Sequence, residues 1–170
     1  LSGRTVGIIG CGFIGKDLVQ LLQPWVCTIL ANDILDFPDF YALYSVIPVE
    51  LEELLQRSDI VTLHIPLDDS TLNILSAERL GLMKQTAVLI NTARGGLVDE
   101  KVLKMMLMEK RLAAAAFDVF STEPPHDMEL LALPNFLATP HIGGSAEEVV
   151  LAMGHAAIKG LEENFIPDFP

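Results

Sequence analysis

Between Thr5 and Asp33 the chain runs from an apolar strand through a glycine run, a helix and a second strand to an acid. The strand is Thr5-Val6-Gly7-Ile8-Ile9, the run is Gly10-Cys11-Gly12-Phe13-Ile14-Gly15, and the helix continues from Lys16 to Leu22. Thr28-Ile29-Leu30-Ala31 then delivers Asp33, 18 residues beyond Gly15. That order specifies a strand–helix–strand unit of a parallel sheet shaped to hold a dinucleotide. Gly10 allows the tight turn, Gly12 lets backbone approach a pyrophosphate, and Gly15 lets the helix lie close on the sheet. The helix N-terminus adds unpaired N–H groups and the positive end of its dipole. Asp33 would accept hydrogen bonds from ribose hydroxyls and repel a 2′-phosphate, while Ile34 and Leu35 bring no cation. The combination favours NAD over NADP. A glycine-rich turn in a purely structural α/β unit is the competing explanation.

Bulk properties exclude several other classes. A length of 170 residues suits one domain with a substantial core. The net charge of −12 argues against nucleic acid or an anionic membrane surface as partner. No apolar stretch approaches the ~18–20 residues that span a bilayer, and the first residues lack the basic start of a signal peptide. Cys11 and Cys27 form no metal or redox spacing, so no metal is expected and reduced thiols in a cytoplasmic protein are the default. Hydrophobic residues make up 51% of the chain. Buried parallel strands would account for that, as would apolar surface that meets another domain or subunit.

Strands and helices alternate along the rest of the chain. Pro38 and several aromatics mark an irregular stretch before Val46-Ile47-Pro48, followed by a helix over 50–55 and a strand over 60–64. A short helix is expected over 77–82, a strand over 87–91, a helix over 99–110, and strands over 113–117 and 136–138. The tail 145–164 has helical spacing, with Ser145 as its N-cap and Glu147 and Glu148 in the first turn. Apolar runs without alternation imply strands covered on both faces, hence a doubly wound, mainly parallel α/β sheet.

Ligands of such sheets bind outside the carboxyl ends of the strands. The segments that follow the apolar runs are His64-Ile65-Pro66, Asn91-Thr92-Ala93-Arg94-Gly95-Gly96, Asp118 through Pro125, and Thr139-Pro140-His141-Ile142-Gly143-Gly144. They gather one Arg, one Glu, one Asp and two His at one edge.

With those segments in hand, the chain resembles the NAD-binding domain of the D-isomer-specific 2-hydroxyacid dehydrogenases, the family of phosphoglycerate, glycerate and hydroxypyruvate-reducing enzymes. The matching stretches are VGIIGCGFIG, SDIVTLHIPL, INTARGGLVDE, AAFDVFSTEPP and LATPHIGGS, in the family's order from Leu1 to about Leu161. The resemblance implies a Rossmann-type fold, NAD as cofactor, a small 2-hydroxy or 2-keto acid as substrate, and a homodimer formed through this domain. It implies Arg94 as binder of the substrate carboxylate and carbonyl, His141 as acid/base, and Glu123 as partner of that histidine. Cofactor contacts are implied at Gly10, Gly12, Phe13, Ile14, Gly15, Asp33, Ile65, Pro66, Thr92, Ala93, Arg94, Asp118, His141, Gly143 and Gly144.

The residue types suit that chemistry independently. Oxidising a 2-hydroxy acid removes a hydride and a hydroxyl proton, and imidazole is the side chain fitted to exchange such a proton near neutrality. A carboxylate on the other ring nitrogen fixes the tautomer and stabilises the protonated ring. A guanidinium grips a carboxylate through two hydrogen bonds and polarises the neighbouring carbonyl. Asp118, at a strand end, is placed to accept a hydrogen bond from the nicotinamide amide.

Each of these residues also has a duller explanation. Arg94 could pair with Asp99, His141 cap a loop, Glu123 stay solvated, and Asp118 satisfy backbone N–H groups. His64 reads as loop support, His126 and His155 as ordinary surface or helix residues, and Met105, Met106 and Met108 as core or interface filling.

Full family members carry a substrate domain built mainly ahead of the glycine motif, and nothing in 1–170 supplies it. The chain therefore reads as an isolated cofactor domain, either a fragment or a truncated homologue, that binds NAD(H) but turns over substrate poorly. An NAD-sensing module of the corepressor type and a scaffold that kept the motifs passively are the alternatives. Retention of Arg94, Glu123 and His141 argues against pure sensing. Glu123, where formate dehydrogenase would carry a glutamine, disfavours that relative.

Overall fold

The computed structural model describes residues 1–163, which divide into two compact units, one of Leu1–Pro140 and one that begins at His141. The first unit opens with β1 (Thr5–Ile9), α1 (Phe13–Leu22), β2 (Thr28–Asn32), α2 (Pro38–Tyr44), β3 (Ile47–Pro48) and α3 (Leu51–Arg57). It continues with β4 (Ile60–Leu63), α4 (Ala77–Leu80), β5 (Val88–Asn91), α5 (Glu100–Met108), β6 (Ala114–Phe117), α6 (Met128–Leu131) and β7 (Phe136–Ala138). The second unit contains α7 (Glu147–Glu163).

All seven strands form one sheet in the order β3-β2-β1-β4-β5-β6-β7, and every neighbouring pair is parallel. The chain winds from β1 outward through β2 to β3, then returns to β1's other side and winds the opposite way. That reversal creates a crevice at the carboxyl end of β1, between β1 and β4. Successive side chains point to opposite faces of a strand, and the core divides accordingly. Val6, Ile8, Ile29 and Ala31 pack with Val19 and Leu22 of α1 and Tyr41 of α2. Ile9, Leu30, Val61 and Leu63 pack with Leu54 and Leu55 of α3 and with Leu80, Leu103 and Leu107 of α4 and α5.

The doubly wound, mainly parallel sheet expected from the sequence is therefore the observed fold. Coverage is uneven, however. Leu89, Asn91, Ala115 and Phe117 are buried, whereas the alternate residues Val88, Ile90, Ala114 and Ala116 are only half-buried. In α5, Met106 is buried, but Met105 and Met108 are 50% and 57% exposed.

Three further expectations change. The stretch read as irregular around Pro38 holds α2, with Pro38 in its first turn beside Asp39. Proline costs nothing there, because its missing N–H would have no intrahelical partner. The four-residue helix α6 also stood outside the expected pattern, although Asp127 caps it by accepting from the Leu130 N–H at 3.1 Å. In α7 the first turn bonds to Ala146, whose carbonyl accepts from Val149 and Val150 at 3.0 Å, so Ser145 lies one residue ahead of the cap position. The expected end of that helix, Asn164, lies outside the described residues.

Asp59 ties the amino-terminal edge of the sheet together. Its Oδ2 accepts from the Thr5 N–H at 2.9 Å, and its Oδ1 takes the Lys84 ammonium at 2.9 Å. Its main chain pairs with Thr5 at 2.8 Å and Val88 at 2.9 Å. The Lys84 bond, followed by the Thr5 bond, holds the Asp59 carboxyl below the usual carboxylate range. A lowered pKa means that this stabilisation is complete above the ordinary carboxylate value and is lost as pH falls through the folded-state value. Asp59→Asn is expected to cost about 1–2 kcal/mol at pH 7 in urea unfolding. The gap from wild type should narrow as the pH drops below 4; a gap that stays constant into acid would contradict the role given to the charge.

Candidate functional site

The strand register sets up the site. Ile9 pairs with Asn32 on one side and Leu63 on the other, and Leu63, Asn91, Phe117 and Ala138 continue the row. The residues that follow those strand ends therefore share one edge. Main-chain bonds carry the alignment past the strands: Gly10 N–H to Asn32, His64 N–H to Ile9, Asp118 N–H to Asn91, and Thr139 N–H to Phe117, all within 2.7–3.0 Å.

At the β1 end the glycine turn has the shape its sequence implies. Gly10 has φ +94°, and a Cβ there would lie 2.7 Å from the His64 carbonyl oxygen. A Cβ on Gly15 would lie 2.2 Å from the Gly10 oxygen, whereas a Cβ on Gly12 would meet nothing within 4 Å. Gly10 and Gly15 are thus demanded by packing, and Gly12 faces open space. The first intrahelical bond of α1 runs from the Lys16 N–H to Gly12 at 2.9 Å. The N–H groups of the turn before it have no intrahelical acceptor, and no acid stands in that turn to compete for them. Phe13 and Ile14 project from it, 95% and 67% exposed.

Asp33 faces this turn. Its Oδ2 accepts from the Cys11 N–H at 2.6 Å and its Oδ1 from the Leu35 N–H at 2.9 Å. The acid and the glycine run, 22 positions apart in sequence, are hydrogen-bonded to each other. Beyond Asp33 lies a cleft of about 430 Å³ lined by Ile34, Leu35 and Asp36, with Glu50 and Glu53 across it. The buried Cys11 thiol lies beside the Tyr41 hydroxyl. Burial, reinforced by the Asp33 carboxylate, raises the thiol above its ordinary value. Burial and then the neighbouring Cys11 push Tyr41 up to about 12. Both groups are therefore neutral at pH 7.

At the β4 end, burial lowers the His64 pKa, and its Nε2 lies 3.1 Å from Thr62 Oγ1. A neutral, partly buried imidazole agrees with the supporting reading of His64. Ile65 is half-buried beside it, with Pro66 exposed.

At the β5 end the buried Asn91 shapes the turn that carries Arg94. Its Nδ2 donates to the Arg94 carbonyl at 2.9 Å, and its Oδ1 accepts from the Ala93 N–H at 3.1 Å. Arg94 and Thr92 are exposed. The Arg94 guanidinium donates to the Ala93 carbonyl at 2.6 Å, and among the described residues it forms no ion pair. Asp99, its suggested ion-pair partner, instead caps α5 by accepting from Lys101 and Val102.

At the β6 end Asp118 is buried, and its Oδ1 accepts from Thr139 Oγ1 at 2.5 Å. Glu123 is exposed in the following loop, its Oε1 accepting from the Phe120 N–H at 3.0 Å. The base of that loop is gripped by Glu100, whose two oxygens take the Ser121 N–H at 2.7 Å and Oγ at 3.0 Å. Asn91, Thr139 and Glu100 escaped the sequence reading. Asn91 and Thr139 stood within the inspected segments, but only the fold shows what their side chains hold.

His141, with φ +54°, opens the second unit. It is followed by Ile142, whose carbonyl accepts from the Ser145 N–H at 3.0 Å across Gly143 and Gly144.

The glycine turn, the tethered acid and the reversal of strand order define a dinucleotide-binding α/β domain of the Rossmann type. More narrowly, residues 1–143 match the model of the D-isomer specific 2-hydroxyacid dehydrogenase NAD binding domain, and the chain belongs to that family. It is 42% identical over 155 residues to a D-3-phosphoglycerate dehydrogenase of Methanocaldococcus jannaschii, covering 91% of this chain and 30% of the relative. It is 39% identical over 165 residues to a glycerate dehydrogenase of Methylorubrum extorquens, covering 95% and 50%. Among solved structures it resembles a D-lactate dehydrogenase with NAD+ from Lactobacillus jensenii, with TM-score 0.83 and 30% identity over 92% of this chain and 51% of that one. The chain thus spans between about a third and a half of the length of these relatives.

Asn91→Ala would strand the Ala93 N–H and the Arg94 carbonyl that the amide now satisfies. Chemical denaturation is expected to show a loss of about 1–3 kcal/mol, and an unchanged midpoint would remove Asn91 from the support of this turn.

Proposed function

We propose that this chain is the cofactor-holding part of an NAD-dependent oxidoreductase that interconverts D-2-hydroxy acids and 2-keto acids. The observation that carries it is the glycine turn hydrogen-bonded to Asp33 in a chain of this family. The fit is local: open space at Gly12 admits a pyrophosphate, the first turn of α1 offers N–H donors, and Asp33 waits for ribose hydroxyls. Bound NAD would supply the hydride chemistry.

The remaining work falls to the chain's own residues. Phe13, Ile14, Ile65, Pro66, Thr92 and Ala93 would bound the cofactor, and Asp118 would take its carboxamide. Arg94, exposed and without an ion-pair partner among the described residues, would bind the substrate carboxylate in a fork and polarise the carbonyl. His141 would give or take the proton at the substrate oxygen, with Glu123 as the carboxylate of that acid–base pair and Gly143 and Gly144 as cofactor contacts. The negative charge argues against nucleic acid as a natural partner, and among the described residues no helix is long and apolar enough to cross a membrane. A homodimer and a cytoplasmic location complete the proposal; the exposed Met105 and Met108 and the two free cysteines agree with them.

Calorimetric titration of the chain with NADH and NADPH tests the cofactor assignment. NADH should bind at least tenfold more tightly, and a failure of NADH to bind would refute it. Gly12→Val should leave the melting temperature within a few degrees while abolishing NADH binding, because its side chain enters the open space the pyrophosphate needs. Should Gly12→Val still bind NADH, the cradle lies elsewhere.

A further inference from the structure

The five residues from Asp33 to Phe37 join β2 to α2 and carry the acid that would read the ribose. Their apolar anchorage is confined to Phe37, which packs against the core around α1, since Ile34 is fully exposed and Leu35 is 61% exposed. Two further attachments lead back to the glycine turn and the first turns of α1. At the front, Asp33 accepts from the Cys11 N–H at 2.6 Å. At the rear, the Lys16 ammonium sits over the ring of Phe37, 3.4 Å from its centroid, with the Phe40 ring 5.5 Å away. Lys16 follows Gly15 directly on α1, and Phe37 is the N-cap residue of α2. Tyr41 stands behind both attachments, edge-on to Phe37 at 6.1 Å and beside Cys11.

We propose that Lys16 is a positioning residue for cofactor selection: its cation–π contact with Phe37 latches the acidic loop to α1 and fixes Asp33 at the reach of a ribose bound on the glycine turn. The inference rests on NAD being the cofactor. A half-buried cation on an aromatic face is attracted by the ring's quadrupole, and the contact turns that attraction into a fixed separation between α1 and the loop. Anything that touches both the helix N-terminus and Asp33 spans that separation. Loosening the loop therefore weakens a ligand that uses the Asp33 carboxylate, NADH, and spares one that Asp33 repels, NADPH. A direct electrostatic role for the ammonium predicts the opposite, since NADPH carries more phosphate charge and would lose at least as much when Lys16 is neutralised.

Binding of NADH and NADPH to the wild-type chain, Lys16→Met, Lys16→Arg and Phe37→Leu separates these outcomes. Lys16→Met and Phe37→Leu should each bind NADH about five- to tenfold more weakly with NADPH affinity unchanged, so that discrimination shrinks by the same factor. Lys16→Arg keeps a cation on the ring and should stay within twofold of wild type. The latch is overturned if Lys16→Met binds NADH as wild type does, if both cofactors weaken together, or if Lys16→Arg fails to restore the affinity. Phe37→Leu changes no charge, so its agreement with Lys16→Met distinguishes the latch from a field effect. The wild-type arm stands apart: failure of NADH to bind there refutes the cofactor reading itself, whereas a binding wild type with indifferent variants refutes only the latch.

Discussion

The close seating of α1 on the end of β1 is the constraint from which the rest of this molecule follows. Gly15 lies against the Gly10 carbonyl at a distance that leaves no room for a Cβ, and Gly10 turns the chain at a positive φ against the His64 main chain. That seating aims the helix N-terminus at the crevice where the strand order reverses. It also brings the Cys11 N–H within 2.6 Å of Asp33, which fixes the far side of the crevice. A bulkier helix start would push α1 off the sheet and separate its dipole, its N–H donors and the acid.

Around that seating, loops are held by side-chain hydrogen bonds that reach across the strand ends. Asn91 braces the Arg94 turn, Thr139 meets Asp118, and Glu100 grips Ser121 at the base of the loop that carries Glu123. Exposed residues proposed for chemistry thus stand on supports that are themselves satisfied, as a reactive site on loops requires. Lys16 and Phe37 extend the same pattern to the acidic loop.

Much of this was legible from residue order. Unbroken apolar runs gave the parallel strands, and β7 fell on the expected residues, Phe136 to Ala138. Local chemistry also sorted two polar residues: Asp99 caps α5 instead of pairing with Arg94, and His64 is a half-buried imidazole beside Thr62. The helix α2 was hidden because Pro38 and clustered aromatics read as a break, although proline in a first turn is a helix start. The side chains that hold the loops were hidden because a hydrogen bond between Thr139 and Asp118, 21 positions apart, leaves no periodic trace in sequence.

The sequence by itself determined the fold class, the glycine turn, the acid that follows β2 and the family to which they belong. These depend on steric demands and hydrogen-bonding types that a residue carries wherever it lies. Only the tertiary structure decided that Asp33 is bonded to Cys11, that Lys16 rests on Phe37, and that Arg94 stands exposed while Asp118 is buried. Those facts are distances between segments far apart in the chain. They come into being when the parallel register aligns the strand ends on one edge.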